Sequence, residues 1–355
     1  MKNLKKLIRE EPYKYNFKSK KKFFLPYISN LINFHAKKSK KYKKILDHYN
    51  IKDYNFDSLD SIPYIPVRLF KLIDLMSIHK DDVYRTLISS GTSGSDYSKI
   101  YLDKNNSKVQ IEILNKLTSN IIGKKRLPML IIDQESSNNN ISKFSARVAA
   151  IRGFSVFSNE KCFALDDKMQ LNQNLVMKFL DKYKNKKIMI FGFTSIIWEN
   201  FLIFLIDKKI KLDLSDAFII HGGGWKKLIN KNIDNDLFKK QIKKYLNIKY
   251  IINYYGMVEQ TGSIFYECQA GFFHTSNFND IIIRNQNFKI CDIKEKGIIQ
   301  LLSLLPTSYP GNSILTEDIG SIYGLDDCHC GKKGKYFKVF GRIKSAELRG
   351  CSDVV

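Results

Sequence analysis

The sequence predicts an α/β protein with a strand-rich continuation, and three observations predict it. From Val83 onward, short apolar runs alternate with helical patterns. After Gly262 the strands follow one another closely, without helices between them. Hydrophobic content of 44% and aromatic content of 13% supply the buriable surface that a disordered chain lacks. With 355 residues there is room for one large or two ordinary domains.

Residues 1 to about 80 read as mostly helical, and Tyr64-Ile65-Pro66-Val67 reads as extended because proline restricts the residue before it. Strands are predicted at 128–132, 188–191, 217–220 and 250–254, with helices at 106–118, 171–183, 196–208 and 237–245. Later strands fall at 280–284, 297–302 and 336–340. The expected division is a helical segment (1–80), an α/β core (81–262), a strand-rich subdomain (263–340) and a tail (341–355). The most apolar stretch, 188–206, is long enough to raise the question of a membrane span. Gly192, Thr194, Ser195, Glu199 and Asn200 interrupt it, so a strand, a turn and a helix capped near Thr194 or Ser195 are expected instead. No signal-peptide pattern opens the chain, and six cysteines then imply reduced thiols, a metal site or catalysis; the expected location is cytoplasmic.

Formal net charge is +24, of which +12 falls in residues 1–50. Such a surface attracts acidic partners, nucleic acid or anionic lipid. An AT-rich coding composition, which enriches Lys, Asn and Ile throughout, accounts for the same charge. No zinc-finger, RRM or basic-helix signature accompanies it, so a nucleic-acid partner is not expected.

Ser89, Ser90, Gly91, Thr92, Ser93, Gly94 and Ser95 lie between two strand-like runs, 84–88 and 99–102. A hairpin loop with so little bulk can turn its N–H groups and hydroxyls onto a polyphosphate. The same composition also makes a plain turn or linker. It is not a Walker loop, which ends in Gly-Lys-Ser/Thr and opens a helix. His221-Gly222-Gly223-Gly224-Trp225 follows a strand and could lie against a flat ring. Tyr255-Gly256-Met257-Val258-Glu259-Gln260 offers an aromatic face for a base and a carboxylate for Mg²⁺. Thr316-Glu317-Asp318 suits a ribose diol, and Gly341-Arg342 brings a fixed positive charge.

The order of these four segments resembles the adenylate-forming superfamily, and within it the LuxE-type acyl-protein synthetases, relatives of the phenylacetate-CoA ligases. The local signs are Ile65-Pro66-Val67-Arg68-Leu69-Phe70-Lys71, the triple glycine with Trp225, Gly256 through Gly262, and Leu348-Arg349-Gly350-Cys351-Ser352. The resemblance implies the N-terminal domain of those enzymes, with layered mixed sheets and helices plus a smaller strand-rich part. It implies ATP and Mg²⁺, with Glu259 on the metal, Asp318 and Arg342 on the ribose, and Gly222, Gly223, Gly224, Tyr255 and Gly256 framing the adenine. Ser89, Ser90, Gly91, Thr92, Ser93 and Gly94 would hold phosphate, with Lys99 two positions later than the family's lysine. Ser345 stands where the family's hinge acid is expected, and the sequence ends at Val355, so the C-terminal lid domain is expected to be absent.

A family of this kind moves the activated acyl group to a cysteine near the C-terminus and then to a reductase partner. Cys351 is the matching residue, near Arg342, Lys344 and Arg349 in sequence, cations that would lower a thiol pKa. The substrate implied is a fatty carboxylic acid. Delivery to coenzyme A, a carrier protein or a sugar amine is one alternative; a non-enzymatic basic protein binding nucleic acid or a membrane surface is another. Cys268, His274, Cys328 and Cys330 make an ordinary set for structural Zn²⁺, with His329 as a competing ligand and buried free thiols as the other possibility.

Overall fold

The computed structural model describes residues 4–89, 97–135, 146–223, 225, 228 and 231–343. They divide into two compact units, one built from residues up to 123 and from 256 onward, the other from 124–255. In chain order, β1 (Ile65–Pro66), β2 (Arg85–Ile88) and β3 (Lys99–Leu102) belong to the first unit. β4 (Leu127–Gln134), β5 (Ser158–Leu165), β6 (Met189–Phe193), β7 (Phe218–Gly222) and β8 (Tyr250–Tyr255) form the second. β9 (Phe265–Tyr266), β10 (Phe273–His274), β11 (Asn279–Arg284), β12 (Gly297–Ser303), β13 (Ser313–Leu325) and β14 (Lys335–Arg342) return to the first.

The second unit is a parallel sheet in the order β5-β4-β6-β7-β8. Its central strands are the apolar runs of the sequence: β6 and β7 are buried at every position, as strands covered on both faces must be. Helices Gln173–Lys182 and Asn235–Leu246 present Val176, Phe179 and Leu180, and Phe238, Ile242 and Leu246, to that core at helical spacing. The 188–206 run is the expected strand followed by a helix, Thr194–Ile196 continuing through a π-helical turn, Ile197–Leu202, into Ile203–Asp207. No described helix is long and apolar enough to cross a membrane. Thr194 opens that helix, but its hydroxyl does not cap it. It donates to the Gly222 carbonyl (3.0 Å) and accepts from His221 Nδ1 (2.9 Å), stitching β7 to the helix start.

In the first unit, β10-β14-β13-β12-β11 pair antiparallel, and β1 lies parallel to β13 with Ile65 opposite Ile314. Helices α1 (Leu4–Arg9), α2 (Phe17–Lys38) and α3 (Lys40–His48) precede β1, and α4 (Leu69–Leu72) and α5 (Lys104–Ile122) follow it. Asn16 caps α2 by accepting from Ser19 N–H at 2.8 Å, and Phe24, Ile28, Leu31, Ile32 and His35 form its buried face.

The N-terminal segment is sewn onto the late strands by polar bonds. Asn277 bonds the Pro12 carbonyl with its backbone N–H and the Glu11 carbonyl with its side chain, both at 2.8 Å. Phe17 N–H donates to both Asp326 carboxylate oxygens at 3.0 and 3.1 Å. The strongest link is fully buried: Lys20 Nζ lies 2.9 Å from Asp280 Oδ2 on β11 and donates to the Asn279 carbonyl at 2.5 Å. Lys335 Nζ meets the other oxygen of Asp280 at 3.1 Å. Burial lowers the Lys20 pKa; burial would raise that of Asp280, but the two ammonium groups hold it below the usual range. Replacing one partner leaves the other charged and dry. Lys20→Met is therefore expected to cost about 3 kcal/mol in urea unfolding, whereas a double Lys20→Met, Asp280→Leu variant should recover part of that loss.

Candidate active site

Three segments of the first unit carry the candidate residues: the hairpin β2–β3, the turn that bears Glu259 and the β13–β14 ladder. The first is the hairpin β2–β3, paired from Arg85 opposite Leu102 to Ile88 opposite Lys99, as the sequence predicts. Its foot is closed by Ser89 and Ser98: Ser89 N–H donates to the Ser98 carbonyl, and Ser98 N–H donates to Ser89 Oγ, both at 3.0 Å. Ser90, Gly91, Thr92, Ser93 and Gly94, like Gly224 and Cys351, lie outside the described residues. Lys99 is exposed on β3. Ser98 is buried, and its hydroxyl acts on the Glu259 carboxyl in the direction that favours the charged form.

Glu259 itself sits on the single turn Val258–Gln260, 5% exposed. Burial raises its pKa, an effect that the Ser98 hydroxyl and the charges of Arg342 and Lys71 oppose. The turn is held from behind. Tyr309 hydroxyl donates to the Glu259 carbonyl at 2.8 Å, and Gln260 Nε2 donates to the carbonyls of Gly311 (2.8 Å) and Leu301 (3.2 Å). Gly311 has to be glycine, because a Cβ there would stand 2.3 Å from the Tyr309 ring and 3.0 Å from the Glu259 carbonyl.

The third segment is the β13–β14 ladder, in which Asp318 stands directly opposite Arg342. Arg342 Nε lies 3.4 Å from Asp318 Oδ1, and Nη1 lies 3.6 Å from Glu317 Oε2. Arg68 closes the group with an ion pair to Glu317. Asp318 and Arg342 are partly exposed, so a carboxylate and a guanidinium are available side by side for hydroxyls and phosphate.

In the second unit, Gly222, Gly223 and Tyr255, expected from the sequence to frame an adenine, lie at the C-terminal ends of parallel strands, where α/β sheets bind ligands. Gly222 ends β7, and one of its faces is covered by the Tyr254 ring, 2.5 Å from where a Cβ would be. Gly223 meets the Phe193 ring in the same way at 2.3 Å. Tyr255 is half-buried at the end of β8. His221 is buried; its Nε2 has no partner among the described residues, and burial lowers its pKa to about 3. At the end of β4, Asp133 is gripped by Arg147 through Nε (2.8 Å) and Nη2 (2.5 Å), a buried bidentate pair that the sequence reading did not find.

Far along the first unit's sheet, Cys268, His274, Cys328 and Cys330 bring their ligand atoms within 4.8 Å of one another. Cys268 and Cys328 sulfurs are 3.9 Å apart, and Cys330 Sγ is 3.3 Å from His274 Nε2. The edge of a zinc–thiolate tetrahedron is about 3.8 Å, given bonds of about 2.3 Å, so the donor set fits Zn²⁺. Each cysteine turn is closed the same way: Gly271 N–H donates to the Cys268 carbonyl and Gly331 N–H to the Cys328 carbonyl, both at 2.9 Å. His329, the competing ligand, is exposed and is not in this group. The Tyr13 ring meets His274 edge-on at 6.4 Å, which places the N-terminal segment against the cluster.

Comparison with known proteins bears on these groupings. The model of the family described as acyl-protein synthetase, LuxE, matches residues 3–355. The chain belongs to that family. It is 20% identical over 359 aligned residues to the long-chain-fatty-acid–luciferin-component ligase of Vibrio harveyi, spanning 96% of this chain and 89% of the relative. The enzyme of the same description from Aliivibrio fischeri is 22% identical over 96% of this chain and 90% of its own length. Among solved structures, 2-hydroxyisobutyryl-CoA ligase in the postadenylation state with 2-HIB-AMP superposes with a TM-score of 0.71 at 12% identity, covering 94% of this chain and 70% of that one. The fold is therefore that of adenylate-forming enzyme domains, and family membership makes the chain an AMP-forming acid ligase.

Gly311→Ala tests the backing of Glu259. It is expected to cost about 2 kcal/mol of stability, as overpacking does, and to displace the Tyr309 ring, read as a change in tyrosine fluorescence and a lower unfolding midpoint.

Proposed function

We propose that this enzyme activates a fatty carboxylic acid as an acyl-adenylate and then carries the acyl group on Cys351 as a thioester. A carboxylate oxygen attacks the α-phosphorus of ATP, and pyrophosphate leaves. The Cys351 thiolate then attacks the acyl carbonyl, and AMP leaves. No base is needed for the first step, since carboxylates are ionised at neutral pH. The fatty character of the substrate and delivery to an acyl reductase partner are inferred from the names of the curated relatives.

Glu259 carries this reading, because its carboxyl is buried on a turn held by Tyr309 and Gln260, and Ser98 at the foot of the hairpin loop and the charges of Arg342 and Lys71 favour its ionised form. Ser89, Ser90, Gly91, Thr92, Ser93 and Gly94 are assigned to the phosphates, with Lys99 beside them. Asp318 and Arg342 are assigned to the ribose, with Gly222, Gly223, Gly224, Tyr255 and Gly256 framing the adenine. Mg²⁺, when bound, neutralises phosphate charge. Glu259 would hold it, and a single carboxylate suffices for an ion that keeps water and phosphate as its other ligands. Tyr309 fixes the turn that bears Glu259. Transition-state charge on the phosphates then meets donors already in place.

Cys268, His274, Cys328 and Cys330 would hold Zn²⁺ in a closed structural site, cross-linking the β10 strand to the loop before β14.

Cys351→Ala is expected to retain carboxylate-dependent ATP–pyrophosphate exchange and to lose covalent labelling by a radiolabelled acid on a denaturing gel; persistent labelling would overturn the acceptor assignment. Purified protein is expected to contain one zinc per chain. Its removal by a chelator should expose Cys268, Cys328 and Cys330 to alkylation and the segment around Lys14 to trypsin. Zinc-free protein that folds with those thiols freely labelled would remove the metal.

A further inference from the structure

The segment Ile65-Pro66-Val67-Arg68-Leu69-Phe70-Lys71 has no task in the chemistry above, yet it touches β13, Glu317 and the Tyr309 ring that backs Glu259. Ile65 and Pro66 pair with Ile314 and Leu315, and Val67 N–H extends the ladder to the Leu315 carbonyl at 2.9 Å. This brings the chain alongside β13, the strand that bears Glu317 and Asp318. α4 follows, and Phe70 is buried on it, edge-on to the Tyr309 ring at 6.3 Å. Tyr309 is the residue whose hydroxyl holds the Glu259 carbonyl. Beyond α4, Asp74 accepts from the Tyr101 hydroxyl at 2.7 Å, tying the segment to β3 of the hairpin. The backbone between β13 and β3 is thus fixed at both ends, and two cations project from it.

Arg68 pairs with Glu317, which also faces Arg342, while Arg342 faces Asp318. Lys71 is half-buried, with its charge close enough to act on the Glu259 carboxyl. Their chemistry differs in a way that suits two tasks. A lysine ammonium is a compact charge with three donors, able to follow a phosphate whose oxygens move. An arginine fork that engages a carboxylate fixes that carboxylate's direction.

We propose that Arg68 and Lys71 belong to the nucleotide site, an assignment that rests on the adenylation reading: Lys71 binds the ATP phosphates, and Arg68 acts through Glu317 to position Arg342. The N-terminal segment thereby supplies a phosphate cation, and Arg68 is a positioning residue rather than a catalytic one.

ATP–pyrophosphate exchange with octanoate, hexadecanoate and benzoate as probes tests this, alongside unfolding midpoints. Lys71→Met is expected to lower kcat/KM for ATP about 100-fold, the scale of losing one preorganised charge donor. The KM for the acid and the midpoint should stay near wild type, and Lys71→Arg should restore most of the loss. Arg68→Ala and Glu317→Gln should each raise the KM for ATP about tenfold, and the double variant should be no worse than either, as members of one chain of contacts behave. Lys71→Met within about twofold of wild type, or an equal loss toward ATP and acid, overturns the phosphate role. Additive losses in the double variant overturn the route through Glu317. A wild-type enzyme with no exchange on any probe removes the adenylation reading itself, whereas wild-type exchange with an unaffected Lys71→Met removes this assignment alone.

Discussion

The ammonium of Lys20, sealed against Asp280, holds the first long helix to a strand that lies 260 positions later in the chain. Burying a charge is costly unless the partner geometry is good and every remaining donor is used. Here the Asn279 carbonyl and Lys335 complete the arrangement. With α2 fixed on β11, the chain that follows it runs back to the same sheet. β1 then pairs with β13, and α4 arrives behind Glu259.

The same logic explains how a carboxylate is kept dry and still usable. Glu259 loses solvation, which favours its neutral form, and recovers part of that loss from Ser98 and from the cations nearby. Its backbone is pinned by Tyr309, whose ring is wedged between Phe70 and the space left by Gly311. Packing and polar satisfaction therefore act on the same turn, and a change in either disturbs the carboxyl.

Much of this was legible in the sequence, and the exceptions share a cause. β6 and β7 announce themselves as apolar runs because both faces of a parallel strand are covered. β5 does not, because Ser158, Asn159, Glu160 and Lys161 make its first half polar and partly exposed. The β2–β3 hairpin is visible through its small-residue loop, and the four metal-type ligands are visible through their chemistry. Lys20 with Asp280, Asp133 with Arg147, and Arg68 with Glu317 are invisible, since a charged residue destined for burial looks like a surface one until its partner is known. The hydroxyl of Thr194 was expected at a helix cap; it bonds across to β7 because His221 and the Gly222 carbonyl compete for it.

Arg68 and Glu317 are separated by 249 positions. During synthesis the cation leaves the ribosome long before the strand that receives it, and a contact of that span closes late because the chain between must first be ordered. The Arg68–Glu317 ion pair is therefore among the last contacts to close. A nascent chain that has already folded its parallel sheet still lacks β13 and β14, so the register that sets Asp318 opposite Arg342 forms only after that sheet.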